Sequence, residues 1–180
     1  MTPRNGRQVM AENAISKLKV CLNGHVVNNM VDFLAGGHRT LGDWLDNPGG
    51  EFCEVCGEKL TAQCASCGTE IPAPLYWDWG KHDYPPPAFC RHCGAMHPWT
   101  ERKLRAAKEL VDSDQTLAAD EKAAFELDIK DIARNIPRTQ AAAIRIKGFL
   151  AKIPGAVGSA LRDIAVDVAS DAAKKIILGP

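Results

Sequence analysis

The sequence has no excess of charge of either sign. Its 22 Lys and Arg residues balance its 22 Asp and Glu residues. A dedicated nucleic-acid-binding protein is expected to have a strongly basic surface, and this balance argues against one. With 46% apolar and 6% aromatic residues, the composition is that of a globular protein. A length of 180 residues allows one domain, or two small ones, with a modest core.

The sequence also lacks long apolar runs. Charged residues interrupt the closest candidate, 153–178, so we expect no spanning helix. Residues 1–20 show no apolar run of the secretory type, and we expect no signal peptide. These absences favour a cytoplasmic protein, and in a reducing cytosol clustered cysteines are more often metal ligands than disulfides.

Signatures of common enzymes are missing as well. The sequence has no phosphate-binding Gly-rich loop with Lys, no Gly-x-Ser-x-Gly elbow, no His-Glu-x-x-His helix and no deaminase signature. Four histidines (His38, His82, His92 and His97) are scattered along the chain. We therefore predict a non-enzymatic protein, with no catalytic residues and no organic cofactor site.

Cysteine divides the chain into two parts. All seven cysteines lie between Cys21 and Cys93, in a stretch that is also rich in Gly, Pro and aromatic residues. We predict an α+β protein with an N-terminal extension (1–20), a cysteine-rich domain of short β-hairpins (21–99) and a helical region (100–180). In the helical region we expect helices capped by Thr100 and Thr116, a third that begins at Thr139, and a long amphipathic helix over 156–178. The apolar stripe of the last helix is Val157, Leu161, Ile164, Val168, Ala172 and Ile176.

Three cysteine pairs share the pattern Cys-x-x-Cys-Gly. We call them knuckle 1 (53–57), knuckle 2 (64–68) and knuckle 3 (90–94). A two-residue gap lets both sulfurs face one metal, and the Gly can adopt the positive φ that turns the backbone after the second sulfur. A single pair could be a redox dithiol, but three pairs with their glycines favour structural zinc.

Cys21 is the odd cysteine, and two tetrahedral sites need an eighth ligand. His25 follows it by four residues, with Gly24 allowing a tight turn between them. The sequence therefore predicts one site of three cysteines and a histidine and one site of four cysteines. The alternative is that Cys21 is a small buried apolar residue and His25 a surface residue.

We predict that the half-sites pair in sequence order and bind two structural zinc ions, which makes 21–99 a double zinc-ribbon domain. The predicted sets are Cys21, His25, Cys53 and Cys56 for the first ion, and Cys64, Cys67, Cys90 and Cys93 for the second. A second arrangement joins Cys53, Cys56, Cys64 and Cys67 across their short spacer. A crossed arrangement comes third.

These motifs, together with Pro98-Trp99-Thr100-Glu101, resemble those of an uncharacterised bacterial family of double zinc-ribbon proteins, a domain of unknown function. The resemblance covers the cysteine-rich half closely and the helical tail more loosely. The stretch from Asn28 to Glu51 is longer than the family leads us to expect, with an inserted helix or loop over 33–45. The resemblance implies a fold for the first half and no established activity.

Local charge separates the remaining functions. Residues 21–99 carry four cations and nine anions, and thiolate ligands make this region more negative. An acidic ribbon repels phosphate, so nucleic-acid binding is the less favoured alternative. Trp77, Trp79, Tyr84 and Trp99 are expected to cover the second zinc site or, if exposed, to meet a basic protein partner. Membrane contact through 153–178 is a further alternative, although that stretch lacks a strongly basic face. We predict an adaptor or scaffold that binds a protein partner or self-associates through its C-terminal helices.

Overall fold

The computed structural model describes residues 18–27, 50–72 and 85–179. The predicted insertion over 33–45 and the side chains of Trp77, Trp79 and Tyr84 lie outside these ranges, as do His38 and His82. The chain forms two compact units, Met1–Pro98 and Trp99–Pro180.

A small antiparallel sheet lies in the first unit. Strand β1 (Lys19–Cys21) is central and pairs with β2 (Val26–Val27) on one side and β3 (Leu60–Thr61) on the other. In this register Val20 lies opposite both Val26 and Thr61. Leu18 and Val20 are buried, whereas the strands are only two or three residues long. So short a sheet buries little apolar surface by itself.

From Pro98 onward, the described residues form five helices: α1 (Pro98–Ser113), α2 (Ala119–Ile132), α3 (Thr139–Leu150), α4 (Gly155–Val168) and α5 (Asp171–Leu178). Each buries residues at helical spacing, such as Phe125, Ile129 and Ile132 of α2. Helix α3 contacts both α2 and α5, so it lies at the centre of the helical unit. Together with the ribbon half, these helices make the fold α+β, as predicted.

A bidentate ion pair joins α2 to α3. The guanidinium of Arg145 donates from Nε and Nη2 to the two carboxylate oxygens of Asp128, over 2.8 and 2.6 Å. Asp128 is buried, whereas the Arg145 side chain is half exposed. A buried carboxylate needs such a partner because leaving its charge unpaired in the interior is costly.

Two of the three predicted threonine helix starts are wrong. Helix α1 begins at Pro98, a residue suited to the first turn, and Thr100 is buried inside that turn. Helix α2 begins at Ala119, and the carboxylate of Glu121 accepts a hydrogen bond from the Ala118 N–H at 3.3 Å. Thr116 instead donates its N–H and its hydroxyl to Asp114, which makes a local turn before the helix. Helix α3 does begin at Thr139, as predicted.

The predicted long helix over 156–178 is also wrong, because the chain forms two helices there. Ala169 and Ser170 adopt extended backbone angles between α4 and α5. The Ser170 N–H donates to the carbonyl of Ile132 at 2.8 Å, which ties this break to the end of α2. Ser170 makes no side-chain capping hydrogen bond to α5, so this backbone contact, together with the negative charge of Asp171 in the first turn of α5, accounts for the break.

The break changes which residues are buried. Leu161, Ala165 and Val168 of α4 face the core, and in α5 the buried residues are Ala173 and Ile177. A continuous helix would have buried Ala172 and Ile176 instead, but two extended residues reset the helical phase. Most of the apolar face of this segment therefore packs inside the helical unit.

Candidate metal centres

The three knuckles share one backbone structure. In each, the N–H of the first cysteine donates to the carbonyl five residues on, and the glycine N–H donates back to the first cysteine's carbonyl, all at 2.8–2.9 Å. An isolated antiparallel bridge closes each one: Phe52 with Lys59, Gln63 with Glu70, and Phe89 with Met96. The shared sequence pattern therefore folds into one repeated local shape.

Glycine is required at the end of each knuckle. Gly57, Gly68 and Gly94 have φ values of 72°, 72° and 70°, in the left-handed region that residues with a β-carbon rarely adopt. This conformation turns the backbone so that both sulfurs lie on the same side. The sequence prediction for these glycines is confirmed.

The fourth half-site is a shorter version of the same turn. Gly24, with φ of 89°, donates its N–H to the carbonyl of Cys21 at 2.9 Å, and the Cys21 N–H donates to the carbonyl of His25 at 3.0 Å. Strand β1 ends at Cys21 and β2 begins just after His25, so the hairpin holds this half-site in place.

The first centre combines this hairpin with knuckle 1. Its potential ligands are Cys21, His25, Cys53 and Cys56. The His25 Nδ1 lies 3.5 Å from the sulfur of Cys21 and 3.6 Å from that of Cys53. The sulfurs of Cys21 and Cys56 are 3.7 Å apart. The imidazole therefore faces the cluster through Nδ1.

The second centre combines knuckles 2 and 3. Its potential ligands are Cys64, Cys67, Cys90 and Cys93. The sulfurs of Cys64 and Cys93 are 3.8 Å apart, and those of Cys67 and Cys90 are 3.7 Å apart. All eight residues singled out in the sequence thus lie in two groups of four, grouped in sequence order. Neither the arrangement across the short spacer nor the crossed one occurs.

These distances match tetrahedral coordination. Two sulfurs at about 2.3 Å from one metal at the tetrahedral angle are about 3.8 Å apart, and a sulfur and an imidazole nitrogen are about 3.5 Å apart. Disulfides would need sulfurs at about 2.0 Å, and all seven cysteines are free. The residues present therefore fit two four-coordinate metal ions.

The thiols of the clusters do not ionise alike. The Glu58 N–H, assisted by the Asn23 amide and His25, lowers the pKa of Cys56 to about 6. The hydroxyl and N–H of Thr69 lower the pKa of Cys67 to about 6. For Cys93 the Ala95 N–H also lowers the pKa, but the neighbouring sulfurs and burial outweigh it and raise the pKa to about 11.

Repulsion between sulfurs explains this spread. Once one thiol of a close cluster has ionised, a second negative charge beside it is disfavoured, so other members keep their protons. A divalent cation at the centre would offset this repulsion, so that all the thiols of the cluster could coordinate it as thiolates. The clusters are therefore suited chemically to a soft or borderline divalent metal.

Each knuckle contains one buried and one exposed cysteine. Cys53, Cys64 and Cys90 are buried, whereas Cys56, Cys67 and Cys93 are exposed. In the hairpin half-site Cys21 is buried and His25 is half-buried. The second centre therefore has two exposed cysteines and the first has one.

Two polar residues beside the sulfurs were not predicted. The Asn23 side-chain amide donates to Cys56 at 3.5 Å, and the Thr69 hydroxyl lies 3.3 Å from the sulfur of Cys67. A residue two positions after a cysteine is a general candidate for such a contact, but only the folded structure brings Asn23 to Cys56. The other two described histidines, His92 and His97, belong to neither cluster.

Fold and ligand geometry together define a class: an α+β protein with an N-terminal double zinc-ribbon fold and a helical C-terminal unit. Comparison with protein families gives the particular family. The model of a family described as an uncharacterized protein conserved in bacteria (DUF2321) matches residues 14–177, and the chain belongs to that family. The resemblance noted in the sequence is thus confirmed. Searches of curated proteins and of solved structures found no match.

Proposed function

We propose that the two centres bind structural zinc and that the chain is a non-enzymatic cytoplasmic adaptor, which binds a protein partner or self-associates through its C-terminal helices. The observation that carries the zinc assignment is the spacing of the ligand atoms, 3.5–3.8 Å, in two sets of four. Sites with four protein ligands and three or more thiolates are typical of structural zinc. Neither set leaves a position open for substrate, which supports a structural role over a catalytic one.

The zinc ions would supply stability that the first unit otherwise lacks. Its described strands are two or three residues long, and large buried side chains, such as Leu18 and Ile71, are few among the residues of this unit that the structure describes. Binding a structural metal adds free energy to folding, because the ligands are assembled only in the folded state. The clusters would also require reduced cysteines, which is consistent with a cytoplasmic protein.

The adaptor role is supported by exposed apolar residues on α2 and α3. Leu127 and Ile144 are 60% and 63% exposed. Each directly precedes a member of the Asp128–Arg145 ion pair, so the two side chains lie at the same level of adjacent helices. Exposed apolar side chains near one another favour a protein contact.

The two alternative functions have less support. The stretch expected to reach a membrane is divided into α4 and α5, whose buried residues pack inside the helical unit. Within the described residues no helix is both long and apolar enough to cross a bilayer. The acidic charge of 21–99 continues to disfavour nucleic acid.

Metal analysis and partner capture test the proposal. Purified chain should contain two zinc ions, and sizing with light scattering should show either a homo-oligomer or a stable complex captured from the native host. The double variant Leu127→Glu, Ile144→Glu should no longer form that assembly. The single variant Gln140→Glu, at an exposed position of α3, should still form it. A monomer without a partner would overturn the adaptor role, and recovery of nucleic acid alone would replace it with the nucleic-acid alternative.

A further inference from the structure

The exposed cysteines of the three knuckles have matched surroundings that differ in one respect. In every knuckle the residue two positions after the second cysteine donates its N–H to that cysteine: Glu58 to Cys56, Thr69 to Cys67 and Ala95 to Cys93. This donor follows from the shared backbone shape. The knuckles thus act as internal controls for one another.

Side-chain donors distinguish them. Cys56 accepts a hydrogen bond from the Asn23 amide at 3.5 Å, and the sulfur of Cys67 lies 3.3 Å from the Thr69 hydroxyl, which donates to it when Cys67 is a thiolate. The position equivalent to Thr69 in knuckle 3 is Ala95, which has no polar side-chain atom. Apart from the other cysteines of the cluster, the described residues provide one hydrogen-bond donor to Cys93, the Ala95 N–H. Cys93 is nevertheless exposed.

Charge adds to this difference. With a divalent ion bound, four thiolates leave the second centre with two net negative charges, whereas three thiolates and a neutral imidazole leave the first with one. More electron density on sulfur and fewer hydrogen bonds to it both favour attack on an electrophile. Exposure then determines which thiolate an oxidant reaches first.

We infer that Cys93 is a modification site, at which small hydroperoxides oxidise the second centre before the first. The Cys93 thiolate attacks one peroxide oxygen, so an S–O bond forms, the O–O bond breaks, and the leaving hydroxide (or alkoxide) takes a proton from solvent. The thiolate of Cys64, 3.8 Å away, then attacks the sulfur of Cys93 and breaks its new S–O bond. A disulfide forms, and the displaced hydroxide is protonated by solvent to water. Two thiolates lose two electrons to the peroxide, and the centre retains only two of its four ligands.

Thr69 and Ala95 are positioning residues in this scheme, and they allow a reciprocal test. The inference rests on the proposed zinc occupancy, so the full-length protein is first loaded and its zinc content measured. Hydrogen peroxide is then added in small excess, zinc release is followed with a chromogenic chelator, and oxidised cysteines are mapped by mass spectrometry. We expect Cys93 to be oxidised first, paired with Cys64, with release of one zinc before the other.

Variants at the two equivalent positions should shift reactivity in opposite directions. Ala95→Thr should slow oxidation of Cys93 about fivefold, the factor expected for one added hydrogen bond. Thr69→Ala should raise the reactivity of Cys67 toward that of Cys93, and Thr69→Ser, which keeps the hydroxyl, should not. Zinc content measured beforehand identifies any variant that fails to fold, and iodoacetamide labelling of loaded wild-type protein gives a second reading of Cys93 reactivity.

The outcomes separate this inference from the proposed function. A chain that binds no zinc would overturn both. A chain with two zinc ions in which Cys56 or Cys67 is oxidised before Cys93, or in which neither variant shifts the order, would overturn this inference and leave the structural zinc assignment intact.

Discussion

Gly158 of α4 lies against the carbonyl oxygen of Ile153, so closely that a β-carbon on Gly158 would stand 1.8 Å from that oxygen. Gly158 is buried, and the atom it meets belongs to the backbone rather than to a flexible side chain. The start of α4 can therefore fold back onto Ile153 only because residue 158 has no side chain.

Replacing Gly158 with alanine should destabilise the helical unit. Helix propensity alone would favour alanine by about 1 kcal/mol, but the clash requires the backbone to move, and we expect a net loss of about 3 kcal/mol. Urea unfolding followed by circular dichroism measures the change. Gly148→Ala is the matched control, because a β-carbon added there would have nothing within 4 Å, and it should be neutral or stabilising. Equal effects of the two substitutions would contradict the assigned contact.

Loss of the cation from the Asp128–Arg145 ion pair should destabilise the helical unit more than loss of the cation from an exposed ion pair. Removing the guanidinium leaves a buried carboxylate unpaired, so Arg145→Ala should cost about 2 kcal/mol or more of unfolding free energy. Lys152→Ala removes an exposed ammonium group from its ion pair with the partly exposed Glu121 and should change stability by about 0.5 kcal/mol or less. Similar losses for both would show that the burial of Asp128 is unimportant.

His25 should be replaceable by cysteine but not by alanine. Its Nδ1 lies 3.5–3.6 Å from two ligand sulfurs, so His25→Cys keeps four donors in the first centre and should retain two zinc ions. His25→Ala should retain only the second, measured by mass spectrometry of bound metal. His92→Ala, which removes an exposed imidazole from knuckle 3, should keep both. Two zinc ions in His25→Ala would exclude His25 as a ligand.

Metal removal should unfold the first unit and spare the second. The helical unit has its own core, including Ile129, Ile146 and Leu161, whereas the described sheet of the first unit is short. A strong chelator should therefore collapse the dispersion of amide signals from residues 18–27, 50–72 and 85–97 while helical circular dichroism persists. Loss of the helical signal on chelation would show that the second unit depends on the metals.

Acid should weaken the first unit partly through His97. This residue is 2% exposed, and burial lowers its pKa below the usual 6.5. Below about pH 6.5, His97 is therefore protonated in the unfolded chain but remains neutral in the folded chain. The free energy of unfolding consequently decreases as the pH falls below this value. His97→Gln should show a smaller decline in unfolding free energy between about pH 7.5 and about pH 5.5. Protonation of zinc ligands affects both proteins alike, so identical pH profiles would rule out this contribution.

Local chemistry explains why the two Cys/His clusters could be predicted. The two-residue gap and the following glycine determine the shape of each knuckle with little help from the rest of the fold, as the matching φ values of Gly57 and Gly94 show. Asn23 could not be assigned in the same way. It lies 33 positions from Cys56 in the sequence, and no pattern indicates that its amide reaches that sulfur.

The sequence predicts that 100–180 is helical, but it does not predict all the positions at which the helices begin and end. The buried residues of α2 and α3, such as Phe125, Ile129 and Ile146, recur at helical spacing in the sequence. The interruption at Ala169–Ser170 depends on a hydrogen bond from Ser170 to Ile132, a contact that sequence periodicity does not register. Tertiary contacts of this kind decide where a helix ends when the apolar pattern continues through the break.

The order in which the half-sites combine also determines where this chain can change in length. Each centre joins two half-sites across a long spacer, 27 residues between His25 and Cys53 and 22 between Cys67 and Cys90, whereas only seven residues separate Cys56 from Cys64. Closing a loop becomes only slightly less favourable as the loop grows, so an anchored spacer tolerates insertions. The two spacers are therefore natural acceptor positions for extra sequence, such as an epitope or a second domain, whereas the seven-residue connection is not.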